Sequence, residues 1–258
     1  MIKKLMTYGA VVTKCRAMYG KRLTDDQWER LMEASSLRTV WDILSRSPAW
    51  TAVAEQPQGA VDGMVLVQSL MEQLRRDCHN LSLYLPKRDR TFIDFFMSHQ
   101  ERGMSPEEYQ AWWSGIPKKD AALRRLVGAE ADGLNLVYVL RLRRFPASIG
   151  RVKELLIPVR EHLRPEFIDR LLHAPNDEAA LEILASSPWK DDFKSLAPGV
   201  LESQYEAYMR AFSRRILASA NPGPEEIQAF LTMKDMDRKK LANIVAAVEQ
   251  GIDPHRVV

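Results

Sequence analysis

A stretch of this sequence recurs about 140 residues later, and this internal repeat limits the possible folds more than any other feature. Residues 22–49 read RLTDDQWERLMEASSLRTVWDILSRSPA, residues 162–189 read HLRPEFIDRLLHAPNDEAALEILASSPW, and the two align without a gap. Eight of the 28 aligned pairs are identical. These pairs are Leu23/Leu163, Arg30/Arg170, Leu31/Leu171, Ala34/Ala174, Ile43/Ile183, Leu44/Leu184, Ser47/Ser187 and Pro48/Pro188.

The matching positions lie on the apolar face of two short predicted helices; convergent helix-turn-helix patterning is the alternative explanation. A partial third copy begins at Gly103-Met104-Ser105 and carries Tyr109, Trp112 and Trp113 on a short amphipathic helix, but no second helix is recognisable. A repeated hairpin has an apolar face that only a neighbouring unit can cover. Such repeats therefore build arrays or rings with a concave surface, which usually holds a protein partner.

The rest of the chain has the three-four spacing of apolar residues that is typical of helices. The first helix is predicted to end at Gly20. Thr24 and Gln27 form a capping box at the start of the next helix, and Ser105 begins another. No segment shows the strict alternation of a strand, so the sequence predicts an all-α fold.

Further helices are predicted over about residues 89–100, 132–145 and 200–218, with a helix pair near 165–186. The apolar run Leu134–Leu140 predicts burial on all sides. A loop is predicted around Pro57 and Gly59. Pro146 is predicted to end one helix, and Pro158 is predicted to break or kink a helix around 149–163. A turn that begins at Asn221 is predicted before the final helix.

Composition narrows the class of protein. With 46% hydrophobic residues the chain can bury a large core, and its net charge of +3 is too small to indicate nucleic acid or anionic lipid. Cys15 and Cys78 sit at apolar helical positions, which favours buried free thiols in a reducing compartment. The sequence has no signal-peptide pattern and no run of roughly 18–20 apolar residues. We therefore expect any membrane association to come through a partner.

Enzyme motifs are missing from the sequence. There is no G-x-x-x-x-G-K-[ST], no H-E-x-x-H and no G-x-S-x-G. The five histidines form no cluster with metal-ligand spacing. The sequence thus predicts a protein that is not an enzyme and holds no catalytic residues, metal or cofactor. A helical enzyme without a recognisable motif is a much less favoured hypothesis than a protein that is not an enzyme.

Two polar positions interrupt the most apolar helix. Asp132 is interpreted as the N-cap that satisfies backbone N–H groups at the start of the helix over 132–145. Asn135 lies one turn later and is expected to be a hydrogen-bonded core amide or a contact between bundles.

The C-terminal helix carries a charged segment. Lys234, Asp235, Asp237 and the basic residues that follow favour a solvated face with i,i+4 ion pairs such as Asp235–Lys239; a contact with a partner is the alternative. Asn243 follows in the same predicted helix.

Basic residues are most concentrated between 141 and 153. An ordinary basic helix end, stabilised by the helix dipole, is the simplest interpretation. A contact with an acidic partner is the alternative, and we assign it to Arg141, Arg143 and Arg144. Nucleic acid is disfavoured because no aromatic platform accompanies these charges.

Four parts of the sequence, in this order, resemble the C/d subunit family of V-type (rotary, archaeal-type) ATPases. Residues 8–48, with their hairpin ending in LSRSP, resemble the first bundle of that family, and DGLNL at 132–136, leading to Arg141 and Arg143, resembles its acidic-x-x-Asn helix. Residues 157–189 resemble the third bundle. FLTMKDMD at 230–237, LANI at 241–244 and the tail 251–258 resemble the closing helix, with aspartate at 235 and 237 where the family pattern has glutamate.

The resemblance implies three similar helical bundles that form a funnel around a pseudo-threefold axis. Here these would be residues 1–85, a shortened middle bundle at 86–145, and residues 146–258 with the closing helix. The family motif residues are Asp132, Asn135, Lys234, Asp235, Asp237 and Asn243.

The resemblance also implies a function. The chain would be a non-catalytic, cytoplasmic subunit that couples the central-stalk shaft to the membrane proteolipid ring for ATP-linked transport of H⁺ or Na⁺, without a cofactor and without contact to nucleic acid. The alternative is a helical-repeat scaffold for an unrelated protein partner.

Overall fold

The computed structural model describes residues 2–55, 61–145, 149–197, 199–219 and 222–256. Helices account for the secondary structure of this part of the chain, which contains no strand, and the all-α prediction is confirmed. In chain order the α-helices are α1 (Ile2–Tyr19), α2 (Asp25–Met32), α3 (Leu37–Ser45), α4 (Thr51–Ala54), α5 (Gly63–Ser82), α6 (Thr91–Arg102), α7 (Pro106–Gly115), α8 (Ala121–Leu142), α9 (Ile149–Leu155), α10 (Pro165–Leu172), α11 (Asp177–Ala185), α12 (Val200–Leu217) and α13 (Pro224–Glu249).

Local sequence signals set many of these helix ends. Thr24 and Gln27 form the predicted capping box at α2, and Ser105 and Glu108 form the one at α7. Gly251 follows α13 with φ of 66°, a left-handed conformation that favours glycine. Predicted breaks at Pro57, Gly59, Pro146 and Asn221, and the last two residues of the tail, lie outside the described residues.

The chain forms two compact units, residues 1–100 with 219–258 and residues 101–218. In the first unit α5 packs along α13, α1 and α3 also contact α13, and α2 packs on α3. In the second unit α8 packs against α7, α9, α10 and α12. The funnel and the division into three bundles stay predictions.

The two copies of the repeat form hairpins with equivalent bounds. Adding 140 to the ends of α2, 25 and 32, gives those of α10, 165 and 172, and the same sum relates α3 to α11. Leu31 and Leu171 are both fully buried, each in the apolar core of its own unit. The predicted repeat is thus present in the structure as well as in the sequence.

The Ser-Pro that both copies share closes each hairpin in the same way. The Ser47 hydroxyl accepts a hydrogen bond from the Ala49 N–H at 3.3 Å, and the Ser187 hydroxyl accepts one from the Trp189 N–H at 3.2 Å. Each serine N–H also donates to a leucine carbonyl three residues earlier. These turns end the second helix of both hairpins.

Helix α7 explains why the third copy looked incomplete. It is followed, after a five-residue connection at 116–120, by the 22-residue helix α8 instead of a second short helix. Tyr109 of α7 is buried and donates its hydroxyl proton to the Val127 carbonyl of α8 at 3.1 Å. A single long helix therefore stands where the other two copies have a short one.

The prediction for the helix over 132–145 was wrong at its start, because α8 begins eleven residues earlier, at Ala121. Gly133 lies in its interior, where a Cβ atom would come within 2.7 Å of the Tyr205 ring of α12. Close packing of α8 against α12 therefore requires glycine at this position. Burial on all sides was also wrong at Tyr138, which is 48% exposed.

Candidate functional site

Asp132 and Asn135 fix the segment that precedes the second hairpin. The Asp132 carboxylate accepts hydrogen bonds from the backbone N–H groups of Glu161, His162 and Leu163, the shortest at 2.6 Å. Since Asp132 lies in the middle of α8, it is not the N-cap of its own helix, and that prediction was wrong. Burial raises the pKa of the carboxyl, although the three N–H donors act to lower it.

The Asn135 side chain is a fully buried amide that is hydrogen-bonded at both its nitrogen and its oxygen. Its Nδ2 donates to the Ile157 carbonyl, and its Oδ1 accepts from the Ile157 N–H, both at 2.8 Å. The prediction of a hydrogen-bonded core amide is confirmed. Asn135 and Asp132 together hold residues 157–163, a stretch in which Pro158 prevents regular helix.

The three arginines at the end of α8 bind other parts of the second unit. Arg143 is buried and donates to the Asn176 carbonyl and to the Asp177 carboxylate. Arg144 donates to the same carboxylate at 2.7 Å, and exposed Arg141 pairs with Glu202 of α12. These contacts join α8 to α11 and α12, whereas the partner contact assigned to these arginines stays a prediction.

Helix α13 is buried on every side in its first half. All residues from Pro224 to Met236 are buried, including Lys234 and Asp235. The prediction of a solvated face was therefore wrong for Lys234 and Asp235. The predicted pair of Asp235 with Lys239 is present at 2.8 Å, and a second pair joins Asp235 to Arg238 at the same distance.

Lys234 lies at the centre of a buried polar network. Its Nζ donates to the Ala49 carbonyl, pairs with Asp77 of α5 at 3.3 Å and lies 3.7 Å from the centre of the Trp50 ring. Burial lowers the pKa of Lys234 and raises that of Asp77, and the attraction between the two opposes both shifts. Lys234 therefore ties α13 to the end of the first hairpin and to α5.

Gln73 extends this network along α5. Its Nε2 donates to Asp77 at 2.8 Å, and its Oε1 accepts from the Ala52 N–H at 2.9 Å and from the Thr51 hydroxyl at 3.0 Å. Sequence reasoning missed Gln73 and Asp77. The available signal was their position on the same face of α5 as the apolar residues Leu74 and Cys78.

A second missed pair joins α1 to the start of α13. Arg16 donates two hydrogen bonds to Glu226 Oε2, at 3.0 and 2.9 Å, and also binds the Ser219 carbonyl. The Glu226 side chain is completely buried. Paired hydrogen bonds between guanidinium and carboxylate are among the stronger polar contacts in proteins.

The two remaining motif residues of α13 lie nearer to solvent. Asn243 is exposed, while Asp237 is half-buried and lines a cleft in the first unit. We name this cavity of about 160 Å³ the basic cleft. Four of its lining residues are cationic (Lys14, Lys21, Arg22 and Lys234) and two are anionic (Asp77 and Asp237).

Among the described residues, no group of three or more His, Cys, Asp or Glu side chains is placed to hold a metal ion. None of the helices in that part of the chain is long and apolar enough to cross a membrane.

The fold and its buried polar contacts define an all-helical protein with two equivalent hairpins, each packed on long helices of its own unit. Comparison with sequence families makes this assignment specific. The sequence model of the ATP synthase (C/AC39) subunit family matches residues 11–101 and 109–258. The chain belongs to this family, the C/AC39 subunit of V-type ATPases. A comparison with curated proteins finds no match.

Proposed function

We propose that this chain is a non-catalytic subunit of a rotary V-type ATPase that couples the central shaft to the membrane proteolipid ring. The observation that carries the proposal is the family match, which covers both units of the fold. In this role the chain associates with the membrane through its partners, on the cytoplasmic side, and serves ATP-linked transport of H⁺ or Na⁺. The funnel of three bundles belongs to the same proposal.

A mechanical coupler must transmit force between partners without deforming. Close-packed helices supply such stiffness because protein interiors have low compressibility. The buried pair Lys234–Asp77 and the pair of exposed Arg16 with buried Glu226 connect helices that are distant in sequence, and Asp132 and Asn135 fix residues 157–163. These contacts support a stiff subunit.

Reconstitution with and without this chain tests the proposal. The complete motor and a motor lacking only this subunit are placed in vesicles, and ATP hydrolysis and ion uptake are measured on the same samples. We expect the depleted motor to hydrolyse ATP with little ion uptake, and we expect added purified chain to restore uptake. Normal coupling in the depleted motor would contradict the role.

Pull-down experiments separate this function from the alternative of an unrelated scaffold. The tagged chain is expected to retain shaft subunits and the proteolipid ring from solubilised membranes. Retention of another protein without any ATPase subunit would favour the scaffold.

A further inference from the structure

The basic cleft has the size and the lining of a binding site for one side chain. Its volume is about 160 Å³, and a cavity of about 150 Å³ holds a group the size of benzene. Trp50 and Phe230 are buried and form part of its lining, and the Lys234–Asp77 pair lies on the same surface. The cleft thus has both an apolar wall and a charged pair in its lining.

Three further cationic side chains lie around the buried lining of the cleft. Lys21 and Arg22 are exposed and Lys14 is half-buried, and all three line the cleft from α1 and the turn after it. Neither Lys14 nor Lys21 forms an ion pair with another residue in the described part of the chain. Arg22 lies over the Tyr19 ring, 4.4 Å from its centre, which holds its guanidinium at the cleft.

We propose that the basic cleft binds a glutamate or aspartate side chain from an acidic segment of a partner protein. The carboxylate would meet Lys14, Lys21 and Arg22, and the aliphatic stem of the side chain would lie against the apolar wall. Charge complementarity of this kind selects the partner and its orientation. The inference concerns one cleft and goes beyond the coupling role proposed above.

The apolar part of the lining favours a carboxylate side chain over a free phosphate. A glutamate or aspartate side chain carries methylene groups that can contact Trp50 and Phe230, whereas a free phosphate has no apolar part. The lining therefore fits an anion on an aliphatic stem that is attached to a polypeptide.

Titration of the full chain with short peptides tests the proposal. The probe is hexaglutamate with both ends blocked, the control peptide is hexaglutamine, and inorganic phosphate is titrated separately. Binding is followed by calorimetry and by amide chemical shifts at low salt. We expect hexaglutamate to bind, to shift the amides of residues 14–22 and 48–50, and to bind more weakly as salt is added.

Charge variants test whether the site is the cleft. The double variant Lys21→Glu/Arg22→Glu is expected to weaken hexaglutamate binding about tenfold, because two attractive contacts become repulsive. Asp237→Asn is expected to strengthen binding, since it removes a negative charge from the lining. The matched control Lys118→Glu/Lys119→Glu changes the net charge equally at exposed positions that do not line the cleft, and we expect less than about a twofold effect.

Three results would overturn the proposal. The first is no binding of hexaglutamate, and the second is equal weakening by the cleft and control variants, which would indicate attraction by net charge alone. The third is tighter binding of phosphate than of the peptide with the same response to the variants, which would indicate a small-anion site. None of these results bears on the reconstitution experiment, so failure of this inference is distinct from failure of the proposed function.

Discussion

Single buried carboxylates hold distant parts of this chain in place. Asp132 is fully buried, yet three backbone N–H groups some 30 residues later point at its oxygens. A buried N–H that loses its acceptor costs free energy because water cannot replace the lost bond. The contribution of Asp132 is therefore the ordering of residues 161–163.

Replacing Asp132 by alanine is expected to lower the free energy of unfolding by about 3 kcal/mol, since three N–H donors lose their acceptor. Asp132→Asn keeps one oxygen acceptor and should cost less. Chemical denaturation measures both, and Asp191→Ala, at an exposed carboxylate, serves as a control with an expected change within about 0.5 kcal/mol. A loss for Asp132→Ala no larger than the control would disprove this role.

The Lys234–Asp77 pair permits a sharper test, because removing one partner of a buried pair leaves an uncompensated charge. Lys234→Met is expected to cost about 3–5 kcal/mol. The double variant Lys234→Met/Asp77→Asn should recover part of that loss, since the introduced amide is neutral and its oxygen can still accept a hydrogen bond from Gln73. Denaturation of the two variants under the same conditions measures the difference, and an equal or greater loss in the double variant would refute the argument.

Stability against pH gives an independent measure of the same pair. Burial raises the pKa of Asp77 above its ordinary 3.8, and Lys234 acts to lower it; without Lys234 the pKa rises further. A carboxyl whose folded pKa is raised stabilises the fold below its unfolded pKa, and that stability is lost as pH rises through the folded pKa. Lys234→Met should therefore lose stability above about pH 3.8 relative to the double variant, and parallel pH profiles would contradict this.

At the scale of elements, the two hairpins use the same design. Each has a polar N-cap on its second helix, Ser36 in one copy and Asn176 in the other, and each ends in a serine turn. Leu31 and Leu171 occupy equivalent buried positions. The same local signals therefore build the same hairpin twice in one chain.

Truncation of the equivalent leucines is expected to have similar effects. Leu31→Ala and Leu171→Ala should each cost about 2–5 kcal/mol, because each removes a fully buried side chain from a core. Met6→Ala, at a position 83% exposed, is the control. Thermal and chemical denaturation measure the losses, and a clear loss at only one leucine would show that the copies are not energetically equivalent.

At the scale of the whole molecule, each compact unit has its own apolar core. The core of the first unit includes Trp50, Leu70 and Ile244, and that of the second includes Trp189, Phe193 and Leu136. Both cysteines are free and buried in the first unit, which agrees with their predicted burial. The reactivity of these two thiols therefore reports the unfolding of the first unit.

Thiol labelling is expected to report the unfolding of the first unit. Burial raises the pKa of both Cys15 and Cys78, so the native protein contains little reactive thiolate and no access for reagent. We expect the native chain to resist a thiol reagent at neutral pH and both thiols to react in denaturant. Rapid labelling of the native chain would contradict the burial of these side chains.

The sequence by itself determined the features that depend on neighbours within about one helical turn. The all-α class, the capping boxes at Thr24 and Ser105 and the end of α1 are of this kind, and the repeat was visible because two copies keep the same apolar positions. The hydrogen-bonded state of Asn135 also followed, since a polar residue in an apolar helix must be satisfied.

Only the tertiary structure decided what the buried charges do. Asp132 bonds to residues 161–163, and Lys234 bonds to a carbonyl 185 positions away, and no local pattern encodes such partners. The same charged residues at 234–239 could face solvent or interior, and the choice depends on what packs around α13. Burial of a charge is stable only with a partner in reach, and that partner is chosen by the fold.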